Sequence, residues 1–372
     1  MLAVAAVLVA PQESPASATG APVLWPGQQA DGSMLLPNQW SLRPAGRHLD
    51  LGDFPVNIAV HPRGRFAAVL HCGYGQHEVV MVDLVSNRVA SRAPVPEAFY
   101  GITFNLDGGK LYCSGSSGEE VFAFDHDNGR LTNRASIALR KPSEPGGPAG
   151  VTIDRTGKTL FVANLWNSRL SLVKLGNKSI REIALATSAP PATVRLDNAG
   201  DDADTTAATK RARAAALAQD PNAVFPYACT LDEKRGRLYV SLWSAASVAV
   251  VDLKTEKLIQ RWPTGEHPCE MILRRDGKFL FVANANDNTV SVLDTRTGRT
   301  LETIWATLYP QSPRGSTPNS LALSPDEKTL YVANANINAI GVFDVEKPGR
   351  SRSLGFIPTG WYPTSVHVTP DG

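Results

Sequence analysis

The chain has 372 residues, with 37 Lys and Arg against 35 Asp and Glu, so its formal charge of +2 offers no net basic field to a polyanion, and nucleic acid is not expected as a partner. A hydrophobic share of 43% excludes a disordered chain, because that much apolar surface can offset the entropy of ordering. The 30 Gly and 27 Pro favour many short elements joined by many turns.

The chain opens with an apolar run, Leu2 to Ala10, followed by Ala16-Ser17-Ala18, a small-residue cleavage pattern. Residues 1–20 therefore read as a signal-like segment, too short for a bilayer span, and the expected location is extracytoplasmic, periplasmic or secreted. No transmembrane span is expected in the mature chain. Residues 21–52 form an N-terminal segment in which Gly46 to Leu51 is expected as an outer strand that helps to close the fold.

From residue 53 onward the chain repeats itself. Lys278 to Asp294 (KFLFVANANDNTVSVLD) returns as Lys328 to Asp344 (KTLYVANANINAIGVFD), and weaker copies occupy 66–83, 110–125, 158–174 and 237–252. Each copy reads as strand, turn, strand. A short alternating run precedes each hairpin, from Asn57-Ile58-Ala59-Val60 to Ser320-Leu321-Ala322-Leu323, with a seventh at Ser365 to Val368, and a fourth run follows. Four strands at a spacing near 42 residues, as between Asp83 and Asp125, make a propeller blade. The expected fold is an all-β, seven-bladed β-propeller of four-stranded antiparallel blades over 53–372, with the seventh blade incomplete in this chain. One step is 78 residues long, from Lys174 to Asp252, and its excess is an insertion over 186–224 between the third and fourth blades. Thr206 to Gln219 in that insertion predicts a short helix, and its acidic stretch Asp197 to Asp204 reads as a solvated loop.

Catalytic signatures are missing: there is no P-loop, dinucleotide fingerprint, H-E-x-x-H or G-x-S-x-G, and Gly115-Ser116-Ser117-Gly118 occupies a hairpin turn. Cys72, Cys113, Cys229 and Cys269 form no CxxC pair and read as buried thiols, with one or two disulfides as the alternative. Neither a catalytic set nor a metal site is expected within the chain.

In a propeller, the loops into first strands and the turns between second and third strands share one face around the channel. The candidate ligand-binding residues on that face are Asn57, His71, Tyr100, Trp166, Tyr227, Trp243, Glu270, Asn284, Asn319 and Asn334: rings with polar edges beside amides and one carboxylate. Strand alternation further places His61, Thr103, Asn105, Thr152, Asp154, Thr230, Asp232, Arg274, Ser320, Ser324 and His367 along the channel.

The VANAN hairpins at 282–286 and 332–336 resemble the YVTN-type repeats of bacterial extracytoplasmic β-propellers. MLLPNQW at 34–40, GDFPVN at 52–57 and the closing TGWYPTSVHVTPDG resemble, more narrowly, proteins in which such a propeller precedes a phosphoesterase of the alkaline-phosphatase superfamily. That resemblance implies a binding or docking module with no cofactor of its own, and divalent metal only in a downstream catalytic domain. The implied partners are that domain or another extracytoplasmic protein, together with a small polar or sugar ligand. The alternatives are a lactonase-like propeller acting on a sugar lactone, in which Glu270 takes part, and a surface adhesion propeller.

Overall fold

Short apolar runs with period-two alternation, broken every few residues by Gly, Pro, Asn or Asp, cannot bury their faces alone and so pair into antiparallel sheets that stack. The computed structural model describes residues 25–36, 41–186, 223–309 and 312–372. The signal-like segment, the helix expected at 206–219 and the acidic stretch lie outside these residues.

Two units are present. Residues 1–43 contain a small meander of Gly27–Gln28, Met34–Leu35 and Ser41–Leu42, whose turn is held by Asp31 accepting bonds from the Ser33 amide and hydroxyl. The second unit, from residue 44, holds six four-stranded antiparallel sheets in chain order. Blade 1 comprises Pro55–Val60, Phe66–His71, Glu78–Asp83 and Arg88–Pro94; blade 2, Ile102–Phe104, Lys110–Ser114, Glu120–Asp127 and Arg130–Ala138. Blade 3 comprises Pro148–Ile153, Thr159–Asn164, Arg169–Lys174 and Ser179–Ala184; blade 4, Pro226–Asp232, Arg237–Leu242, Ser247–Asp252 and Lys257–Pro263. Blade 5 comprises Pro268–Leu273, Phe279–Asn284, Thr289–Asp294 and Thr300–Trp305; blade 6, Pro318–Leu323, Thr329–Asn334, Ala339–Asp344 and Arg352–Pro358.

First strands of successive blades adjoin one another. The seventh place is taken by residues 364–369: Thr364 donates to the Pro55 carbonyl at 2.6 Å, Ser365 to Asn57 at 3.1 Å, and the Val366 amide to Ser320 at 3.0 Å, which ties the end of the ring to both neighbours. The all-β, seven-bladed ring expected from the repeats is thus the observed architecture. The segment 46–51 runs without ladder pairing, contrary to the expected outer strand. Its Leu49 and Leu51 pack instead against Val69, Val80 and Val82 of blade 1, so it contributes burial rather than backbone bonds.

The core is divided into layers between blades. Phe66, Leu70, Leu111 and Phe122 join blades 1 and 2; Leu160, Val162 and Val121 join 2 and 3; Phe281, Leu330 and Phe343 join 5 and 6. A polar clasp also bridges blades 2 and 3. Buried Arg140 lies 2.5 Å from Glu119, whose other oxygen accepts from the amides of Gly146 and Gly147. The aspartates that end the third strands are turn formers: Asp83, Asp252 and Asp294 each accept amide bonds from residues two or three positions on.

Candidate ligand site at the channel mouth

Each blade opens with a peptide that turns the chain from the previous blade into the channel wall. At five of these openings the residue before Pro is neither Gly nor Asn, yet its φ is positive: Phe54 (43°), Phe225 (45°), His267 (53°), Thr317 (53°) and Tyr362 (64°). Such backbone is strained, by about 1–3 kcal/mol per residue. The strain has an identifiable partner. The carbonyl of the strained residue accepts the amide just past the second strand, as from Cys72 to Phe54, Trp243 to Phe225, Ala285 to His267 and Ala335 to Thr317, at 3.0–3.3 Å.

Four of the strained residues, Phe54, His267, Thr317 and Tyr362, line a cavity of about 370 Å³ at the upper end of the channel. Tyr100, Tyr227, Trp243 and Asn319 share that lining with Phe99, Cys72, Cys269 and Asn286. Tyr100 and Tyr227 pack with centroids 4.5 Å apart, and Trp243 stacks on His267 at 3.7 Å. The lining has no Lys, Arg, Asp or Glu. Behind the lining stands Glu270 of the first strand of blade 5, close enough to act on Tyr100, Tyr227 and Cys269, where its carboxylate accepts from the Leu321 amide at 3.3 Å and from the Ser320 hydroxyl. Glu270 keeps some exposed surface, but protein atoms surround its carboxyl closely, so burial pushes it up to about 7 against the smaller opposing effect of those two bonds. Burial likewise holds the Tyr100 and Tyr227 phenols well above their usual range, with Glu270 adding to the effect on both. Cys72 is pushed up to about 11 and Cys269 to about 12 by burial, which keeps both as thiols rather than nucleophilic thiolates. All four cysteines are free.

Of the ten sequence candidates, Tyr100, Tyr227, Trp243 and Asn319 line the cavity, while Asn57 and Glu270 stand behind the lining, Asn57 bonded to Tyr100 and Glu270 acting on Tyr100 and Tyr227. Asn57 is buried and structural in geometry, donating to the Tyr100 carbonyl at 3.0 Å and so fixing that residue's backbone. The other four lie elsewhere. His71, Asn284 and Asn334 end second strands one residue before the mouth-facing position, and alternation turns them into the blades, where each is almost fully buried. Asn284 there donates to Thr289 and Ser291, while His71 packs its Nδ1 against the Asp53 carbonyl. Trp166 packs over Gly147 rather than lining the cavity.

Some residues expected along the channel are instead turn caps at the far ends of first strands. Asn105, Asp154, Asp232 and Ser324 accept the amides of Lys110, Lys158, Arg235 and Thr329, because each stands where its strand reverses. Sequence reasoning missed Cys72, Ala285 and Val56 as mouth residues. The signal was available: aligning the repeats puts Cys72, Trp243 and Ala285 at one register position. Among the described residues, no three His, Cys, Asp or Glu side chains gather as a metal site, and no helix is long and apolar enough to cross a membrane.

The fold is shared with solved structures of low sequence identity. The protein is similar to hydrazine synthase of Kuenenia stuttgartiensis at 17% identity, with 88% of this chain and 93% of that chain covered and a TM-score of 0.65. It is similar to virginiamycin B lyase from Staphylococcus aureus at 13% identity, with 81% and 84% covered and a TM-score of 0.56. For U3-55K the values are 11%, 88% of both chains and 0.64. These likenesses establish the architecture alone. No curated protein sequence matches significantly. The sequence profile described as "Lactonase, 7-bladed beta-propeller" matches residues 100–372, well over half of the chain, and the protein therefore belongs to the lactonase family of seven-bladed β-propellers.

Proposed function

We propose that this propeller is an exported binding module whose upper channel mouth takes a small polar ligand, and that it serves as the recognition part of a larger phosphoesterase. One observation carries the binding reading: strained Phe54, His267, Thr317 and Tyr362 converge with Tyr100, Tyr227 and Trp243 on a single cavity. Strain of this kind persists only where the surroundings enforce it, and it gathers at ligand sites more than at passive surfaces. A volume of about 370 Å³ lies within the range for small-molecule pockets. The phosphoesterase context rests on the resemblance of residues 34–40, 52–57 and 359–372 to such two-domain proteins.

A second reading is favoured by the family match and by Glu270. A carboxyl poised near 7 suits a general base: it would take a proton from water as the oxygen adds to a lactone carbonyl, and return it to the departing ring oxygen. Calorimetric titration with sugars and sugar lactones, with parallel assay of lactone opening, separates the two. The binding reading expects saturable binding that weakens at least tenfold in Trp243→Ala, with no turnover. Turnover abolished by Glu270→Gln would establish the enzyme instead, and absence of binding by any sugar, lactone or amine would defeat the binding reading.

A further inference from the structure

The charge pattern of the mouth narrows the class of ligand. Glu270 is an ionisable group among protein atoms with no cationic partner: its polar contacts are the Ser320 hydroxyl and the Leu321 amide, and among the described residues no Lys, Arg or His offsets it. A carboxylate taken out of bulk water without a counter-charge costs free energy that these two bonds recover only in part. The neighbouring cavity is walled by the rings of Phe54, Phe99, Tyr100, Tyr227, Trp243 and Tyr362, with the His267 imidazole stacked on Trp243, and its lining holds no Lys or Arg that would draw an anion. Asn319 adds a buried amide oxygen with no hydrogen-bond partner in the protein, while its amide nitrogen is committed to the Pro363 carbonyl. Acceptors behind and ring faces around leave one complementary occupant. The negative faces of aromatic rings and a lone carboxylate both attract positive charge, and neither favours a phosphorylated or carboxylated ligand.

Resting on the binding reading above, we propose that the upper channel mouth binds an organic cation, a primary to quaternary ammonium group seated among Tyr100, Tyr227 and Trp243 with Glu270 as its counter-ion. The groups that face Glu270 are the Tyr100 and Tyr227 phenols, the Cys269 thiol and the Ser320 hydroxyl, with His267 above on Trp243. None of these is a Lys or Arg whose charge the ligand would have to displace. Because the carboxyl must be ionised to act as counter-ion, and burial holds its pKa at about 7, affinity rises with pH between about 6 and 8.

The test is calorimetric titration of the full chain with choline and with 3,3-dimethylbutan-1-ol, its uncharged isostere. The expected result is choline binding at least tenfold tighter, with the preference reduced to less than twofold in Glu270→Gln and total affinity lowered in Trp243→Leu. Both variants are checked for an unchanged melting profile at pH 5, where Glu270 is already neutral. Equal affinities for the two probes, or a preference that survives Glu270→Gln, would overturn the proposal. Binding of sugars or lactones without choline would also overturn it, while leaving the mouth a ligand site; binding of none of these probes would remove both readings.

Discussion

Glu270 concentrates the electrostatic cost of the channel in one side chain. Its carboxyl keeps its proton up to about 7 in the folded protein, against an ordinary value of 4.5, so between these limits the folded state binds more protons than the unfolded chain and stability falls as pH rises. Glu270→Gln removes that penalty. The variant is expected to melt higher than the parent at pH 8, by an amount equivalent to about 1 kcal/mol or more, and to match it at pH 5. Equal melting temperatures at both values would show that the carboxyl is not held apart from water. His61 and His71 act in the opposite sense. Burial lowers both below the usual 6.5, so the stability they permit as neutral rings is present above that value and is lost as pH falls through their lowered folded values. The parent's pH profile therefore combines opposing slopes, and only the difference between parent and variant isolates Glu270.

At the scale of the blade, the recurring device is the strained residue before Pro. It costs stability and aims a side chain at the mouth, which sets up a trade that a single substitution can expose. Phe54 is about half exposed, so its removal forfeits little burial. Phe54→Gly should relieve about 1–3 kcal/mol of strain against about 0.5–1 kcal/mol of added chain entropy, a net gain near 1 kcal/mol, while weakening any ligand held at the mouth. Chemical denaturation reads the first effect and titration the second; a loss of stability would mean that the left-handed backbone is not a burden there. The blades themselves were legible in the sequence because the hairpin repeats at 278–294 and 328–344 share the run VANAN and the closing Asp in one register, which fixes the register of the weaker copies. The strain was not legible, since X-Pro pairs read only as stiff turns. Nor was the inward turn of His71, Asn284 and Asn334, because a hairpin tip and the strand residue beside it carry the same residue types while alternation sends them to opposite sides.

For the whole molecule, closure of the ring decides whether there is a mouth at all. Thr364, Ser365 and Val366 bond to blades 1 and 6, and Tyr362 and Thr364 complete the cavity wall, so the segment that closes the ring also builds the site. The sequence placed this seventh run correctly by its period, whereas the segment 46–51 packs by its leucines without pairing, a distinction that propensity does not draw. The account's central claim is that the channel mouth is a ligand site. A crystal structure of the protein grown with the probe that titrates most tightly tests it directly. The account predicts density for that molecule within the ring of Tyr100, Tyr227 and Trp243 in front of Glu270, with the strained backbone at His267 and Thr317 unchanged. Density for the probe elsewhere on the propeller, with the mouth empty, would contradict it.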